Sequence, residues 1–151
     1  MIGWLLDTNV ISELNKRNCA PRVEAWFRVQ PEERLFLSVL TLGEFDKGLF
    51  LLDPADPKHA RLTGLRDALE ERLKDRTLPV SRAVAARWGE ITARVKAEAG
   101  HPPLVIDTLL AATAIEHGLY LATRNTKDVA RSGAALFNPW LDDPAGFPLE
   151  S

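Results

Sequence analysis

Cysteine is nearly absent from this chain. The single residue Cys19 excludes an internal disulfide, and no group of Cys and His has the spacing of a zinc site. Cys19 reads as a small, unreactive residue beside the first helix. Long apolar runs are missing as well: none suffices to span a bilayer, and no basic-then-apolar leader with a cleavage site opens the sequence. A cytoplasmic protein with no membrane partner is therefore expected. An excess of one charge is also lacking. A formal net charge of −2 and a pI near 5.9 argue against nonspecific nucleic-acid binding by bulk charge, while leaving room for a local basic rim around an acidic centre. Repeats, low-complexity segments and linkers are absent too, so residues 1–151 are expected to form one domain.

What is present is a globular composition, with 46% hydrophobic and 26% charged residues, enough apolar side chains for a core. Short apolar runs alternate with helical periodicity. Ile2–Leu6 reads as a buried strand ending at Asp7, with Thr8 and Asn9 as N-caps of a helix reaching about Leu14. Pro21 opens a second helix to Phe27 or Gln30. Leu35–Val39 is a second strand, and Thr41 with Glu44 three residues later makes a capping-box pattern. Helices are expected over Leu42–Leu52 and Lys58–Lys74, then a short strand at Arg76–Val80. Ser81 caps a helix that Gly100 ends, Leu104–His117 is helical with Gly118 after it, and strands follow at Leu119–Thr123 and Ala135–Asn138. Such alternation implies parallel pairing and an α/β sandwich.

Four acidic residues stand at element boundaries: Asp7 after the first strand, Glu44 early in the helix after the second, Asp107 near the start of an Ala-rich helix, and Asp128 shortly after the fourth strand. In a parallel sheet, strand ends and the helix N-termini that follow share one edge, where ligands bind. Capping alone explains any one of these acids. Asp107, set among Leu104, Val105, Ile106, Leu109 and Leu110, is expected to be costly unless paired or cation-bound. A divalent cation relieves both that burial and the mutual repulsion. With no thiolate or imidazole cluster available, magnesium or manganese fits. The chemistry expected is metal-assisted hydrolysis of a phosphodiester.

These segments resemble the PIN-domain ribonucleases, specifically VapC-type toxins of bacterial toxin–antitoxin pairs. The likeness rests on LLDTNVISEL at 5–14, LSVLTLGEFDKG at 37–48, IDTLLAATA at 106–114 and LATRNTKD at 121–128. FNPW at 137–140 is similar to the FitB-like branch. The resemblance implies a PIN-like three-layer sandwich with a short parallel sheet of four to five strands, and a Mg2+-dependent endoribonuclease acting on structured or transfer RNA. It assigns Asp7, Glu44 and Asp107 to the metal-binding acids. The family's fourth acid falls where this chain has Asn125; Asp128 stands near enough to fill that place as a catalytic acid, or simply caps the next helix. Thr8, Asn9, Thr123, Arg124 and Asn125 are then expected beside the substrate, with Lys127, Lys47, Lys16 and Arg17 as a rim for phosphates.

The resemblance also implies a cognate antitoxin that covers the acidic groove and carries operator DNA binding, and a homodimer. The helices at 21–30 and 58–74 are candidate walls for the antitoxin or a dimer face. The competing reading is a PIN-like binding module that regulates transcription with its antitoxin and cleaves little or nothing. A phosphatase-like hydrolase is disfavoured, because no Asp-x-Asp pair follows the first strand.

Overall fold

The computed structural model describes residues 1–151. Five parallel strands form one sheet in the order β3-β2-β1-β4-β5: β1 Gly3–Leu6, β2 Leu35–Ser38, β3 Thr77–Leu78, β4 Leu119–Ala122 and β5 Leu136–Phe137. Seven helices connect and cover them: α1 Thr8–Leu14, α2 Pro21–Arg28, α3 Val39–Leu51, α4 Pro57–Arg72, α5 Arg82–Ala99, α6 Val105–His117 and α7 Thr126–Val129. The sandwich expected from the alternation is present. Gly100 and Gly118 end α5 and α6 in the left-handed region, at φ 84° and 65°, where a side chain would be strained.

Strand alternation sorts the core onto the two faces of the sheet. Trp4 and Leu6 of β1, with Tyr120 and Ala122 of β4, join Val10 and Ile11 of α1, Val23 and Trp26 of α2, and Phe45 of α3. Leu5, Leu119 and Leu121 point the other way, onto Leu110, Ala111 and Ala114 of α6. Helix α5 then packs on α6 through Val84, Ile91, Val95 and Ala112. Trp4 anchors the first face, with ring centroids 5.2 Å from Trp26, 5.0 Å from Tyr120 and 4.7 Å from Phe137. Gly3 is required by a close approach: a Cβ there would strike the Arg34 carbonyl.

The chain leaves β1 toward β2 and β3 on one side and later crosses to β4 and β5 on the other. The carboxyl ends of β1 and β4, paired from Gly3↔Leu119 to Leu6↔Ala122, thus form a topological switch point. There the loops diverge and leave a crevice.

Two capping assignments differ from the sequence expectation. Asp7, rather than Thr8 or Asn9, is the N-cap of α1 and accepts a hydrogen bond from the Thr8 N–H. Ser38, rather than Thr41, caps α3 and accepts from the Leu40 N–H at 3.0 Å. Strand β2 runs directly into α3 with no loop, so the helix starts at the strand's last residue. Thr41 is left fully buried inside the first turns, its hydroxyl without a partner. No helix is long and apolar enough to cross a membrane.

Candidate acidic site

The carboxylate of Asp7 sits at the switch point, 6% exposed, and three groups hold it. Its Oδ1 accepts from the Thr8 N–H at 2.7 Å. Its Oδ2 accepts from the Thr123 hydroxyl at 2.8 Å and from the Asn9 amide at 3.2 Å. Hydrogen bonds to a charged group contribute roughly 1.5–3 kcal/mol each, yet desolvation outweighs them here, and the Asp7 pKa lies above its ordinary value.

Asn9 and Thr123 join β1 to β4 beyond the last strand pair. The Asn9 amide nitrogen also reaches Thr123 Oγ1 at 3.3 Å, and its Oδ1 accepts from the Arg124 N–H at 3.1 Å. The Thr123 hydroxyl in turn accepts from the Asn125 N–H at 3.0 Å. The Thr8 hydroxyl donates to Glu44 Oε1 at 2.9 Å, tying α3 to the start of α1.

Asp107 lies in the first turn of α6, half-buried, and its carboxylate receives no hydrogen bond from the chain. Desolvation raises its pKa first, followed by the charges of Asp7, Asp128 and Glu44. The four acids singled out in the sequence therefore share one electrostatic neighbourhood. The apolar surroundings foreseen for Asp107 are only half realised. Leu104, Val105 and Ile106 are 62%, 56% and 39% exposed, because the buried stripe of α6 begins at Thr108 and runs through Leu110–Ala114.

None of Asp7, Glu44, Asp107 and Asp128 is ion-paired to a Lys or Arg of the chain. No three of them stand close enough to enclose a single ion as they are placed. The arrangement is an open acidic patch with oxygen donors only, one wall fixed by hydrogen bonds and the other held by nothing but its helix.

The basic residues divide. Lys127 and Lys47 are exposed and free of ion pairs. Lys16 is paired to Glu13 at 3.3 Å, and with Arg17 and Arg61 it lines a separate polar hollow. Arg124 is exposed, with its guanidinium carbon 4.9 Å from the centre of the Trp140 ring. Sequence reasoning used Trp140 only as a family mark and missed this contact. The Asn-Pro turn before Trp140 is the one local signal that the ring would be held in place.

Residues 4–132 match the PIN domain. Toxin FitB of Neisseria gonorrhoeae is 36% identical over 138 residues, covering 91% of this chain and 99% of that protein. The VapC ribonuclease Y4jK of Sinorhizobium fredii is 36% identical over 140 residues, covering 90% and 96%. Among solved structures, FitAB bound to an IR36 DNA fragment superposes with a TM-score of 0.84 at 33% identity, covering 93% of this chain and 97% of that one. VapBC-1 of nontypeable Haemophilus influenzae gives 0.72 at 25% identity, covering 92% and 98%.

Proposed function

The chain belongs to the PIN-domain family, and from that premise we propose that it is a ribonuclease toxin of a toxin–antitoxin pair, hydrolysing RNA phosphodiester bonds with magnesium or manganese. One observation carries the reading. Four carboxylates from four different elements lie around the switch point with no Lys or Arg of the chain paired to them, and desolvation together with the charges of the other three raises the Asp107 pKa. A like-charge cluster of this kind fits a divalent cation, and its all-oxygen donor set fits a hard one. Asp7, Glu44 and Asp107 would hold it. When bound, such an ion supplies an activated water and neutralises charge on the phosphoryl group under attack.

The chain's own residues do the rest. Thr123, Asn9 and the Thr8 N–H fix the Asp7 carboxylate in one orientation, and the Thr8 hydroxyl orients Glu44. Thr8, Asn9 and Thr123 are accordingly positioning residues, and Arg124, Lys127 and Lys47 are the exposed, unpaired cations that would meet RNA phosphates. Asp128 serves as the fourth acid in place of Asn125. What supports this is its place in α7, just after β4, where its charge acts on Asp107 together with those of Asp7 and Glu44.

The partner is an antitoxin that also carries the DNA contact, a reading supported by FitAB bound to DNA. A docking place for an apolar antitoxin helix lies where α1, α2 and α4 frame a cavity of about 170 Å3 lined by Leu14, Phe27, Leu65 and Leu69. Helix α4 has no buried residue along its sixteen positions, so one flank of that cavity is open to a partner.

The test is cleavage of transfer RNA and total RNA by antitoxin-free protein. Cleavage is expected with magnesium or manganese and is expected to stop with chelator. Equal cleavage by an Asp7→Asn or Asp107→Asn variant would sink the mechanism. A second reading, a binding module with little nuclease activity, is favoured by the uncharged Asn125 at the fourth position. Calorimetric titration of manganese into the free protein decides between them, since absence of binding would favour the module.

A further inference from the structure

Beside the acidic patch lies an open trough of about 520 Å3, lined by Arg124, Asn125, Lys127, Asp128 and Trp140 among others. That volume lies within the range of small-ligand sites. One end carries Asp128, one of the four acids. The other end is Trp140, half-buried in a turn whose backbone is held by several hydrogen bonds. Its N–H donates to Asn138 Oδ1 at 2.9 Å, and the Asn138 N–H donates to Asp142 Oδ2 at 2.8 Å. The Leu141 and Asp142 N–H groups both return to the Asn138 carbonyl. Arg22 of α2 donates to the carbonyls of Leu141 and Asp142.

Over the Trp140 ring, carried by this hydrogen-bonded turn, lies the Arg124 guanidinium carbon, 4.9 Å from the ring centre and ion-paired to no carboxylate. Its backbone is tied through Asn9 to the Asp7 carboxylate, which places residue 124 beside the acids. Asn125 lines the same trough, exposed, with a side-chain amide that makes no hydrogen bond within the chain. A flat cation laid on an aromatic ring is a surface on which unpaired bases stack. A free amide offers both a donor and an acceptor to a base edge.

Resting on the ribonuclease reading, we propose that this trough takes one unstacked base of single-stranded RNA next to the scissile phosphate. The Arg124–Trp140 pair is its stacking wall, and Asn125 reads its edge. The position where the family carries an acid has, in this chain, become a specificity determinant.

The test is binding rather than cleavage. Fluorescein-labelled hexaribonucleotides, and versions with each base removed in turn, are titrated in EDTA by fluorescence anisotropy. Wild type should favour the intact strand over one abasic version by about tenfold, the loss expected for one stack. That ratio should fall within about twofold of one in Trp140→Leu and in Arg124→Lys, the latter keeping its charge. Trp140→Phe should largely retain it, which separates lost stacking from lost folding. Asn125→Leu should keep the ratio while levelling the affinities for U, A, C and G hexamers.

An unchanged ratio in Trp140→Leu, or no abasic penalty in wild type, overturns the proposal. So does a loss of antitoxin binding in these variants with the ratio intact, which would assign the trough to the protein partner. Failure of metal-stimulated cleavage with the base preference present would instead overturn the nuclease reading alone.

Discussion

The two walls of the acidic site are built on opposite terms. On the β1–β4 wall, Asp7 is almost fully buried and receives hydrogen bonds from a backbone N–H, a hydroxyl and an amide. On the α6 wall, Asp107 is half-buried, receives none, and faces three other carboxylates. Both have raised pKa values, but for different reasons. At Asp7 desolvation works against a set of donors. At Asp107 desolvation and repulsion act together with nothing opposing them. The first wall is finished by the fold, whereas the second is completed only by a charge from outside.

Breaking the finished wall should have the largest effect. Asp7→Asn is expected to lower RNA cleavage by at least about a hundredfold, measured as initial rate with magnesium, since it removes a proposed ligand and alters the group its partners orient. Thr123→Val, which removes only one of the donors, should cost about ten- to a hundredfold in metal affinity or activity. A titration showing wild-type manganese affinity would mean that the Asp7 orientation does not matter. Asp128→Asn should lower cleavage by less, a few-fold, if its part is to add charge rather than to hold the ion.

The unfinished wall is best probed through stability. A carboxyl whose pKa is higher in the folded than in the unfolded protein binds its proton more tightly when folded. The metal-free protein therefore loses stability as pH rises from the ordinary carboxylate value of 3.8 through the raised one. Asp107→Asn should remove part of that slope and raise the metal-free Tm at neutral pH by a few degrees. Manganese should raise the wild-type Tm and leave the variant nearly unmoved. A variant less stable than wild type at neutral pH would show that Asp107 is held by its fold after all.

The contrast between the walls also marks how far the sequence could be read. Short apolar runs located all five strands and period-3.6 patterns the six longer helices, whereas α7 lies where a polar turn was expected; Gly100 and Gly118 marked two helix ends because glycine suits their φ. The acids were legible because each follows soon after a strand or helix start, although Glu44 lies in the second turn of α3, further in than the sequence placed it. Strand order was not, since parallel strands joined by helices carry no local record of their neighbours.

The cap of α3 was misplaced because Thr41 and Glu44 fit a capping box as written. What decides the matter is that β2 ends at Ser38, a fact of pairing with β1 and β3. The exposure of Leu104, Val105 and Ile106 was hidden for a similar reason: an apolar residue in the first turn of a helix faces the core only if the helix axis carries it there. The Arg124–Trp140 contact spans sixteen positions and three elements, beyond the reach of any local pattern.

Asp7 both begins a helix and carries a proposed ligand charge, and this double duty should appear in the mutations a cell tolerates. Under selection for survivors of toxin expression, inactive but folded alleles at position 7 should be few in kind, chiefly Asn and Ser, because other side chains also forfeit the start of α1. At position 107 no such filter applies, and the surviving alleles should be chemically diverse. The breadth of a mutational spectrum would then report which acid belongs to the scaffold as well as to the chemistry.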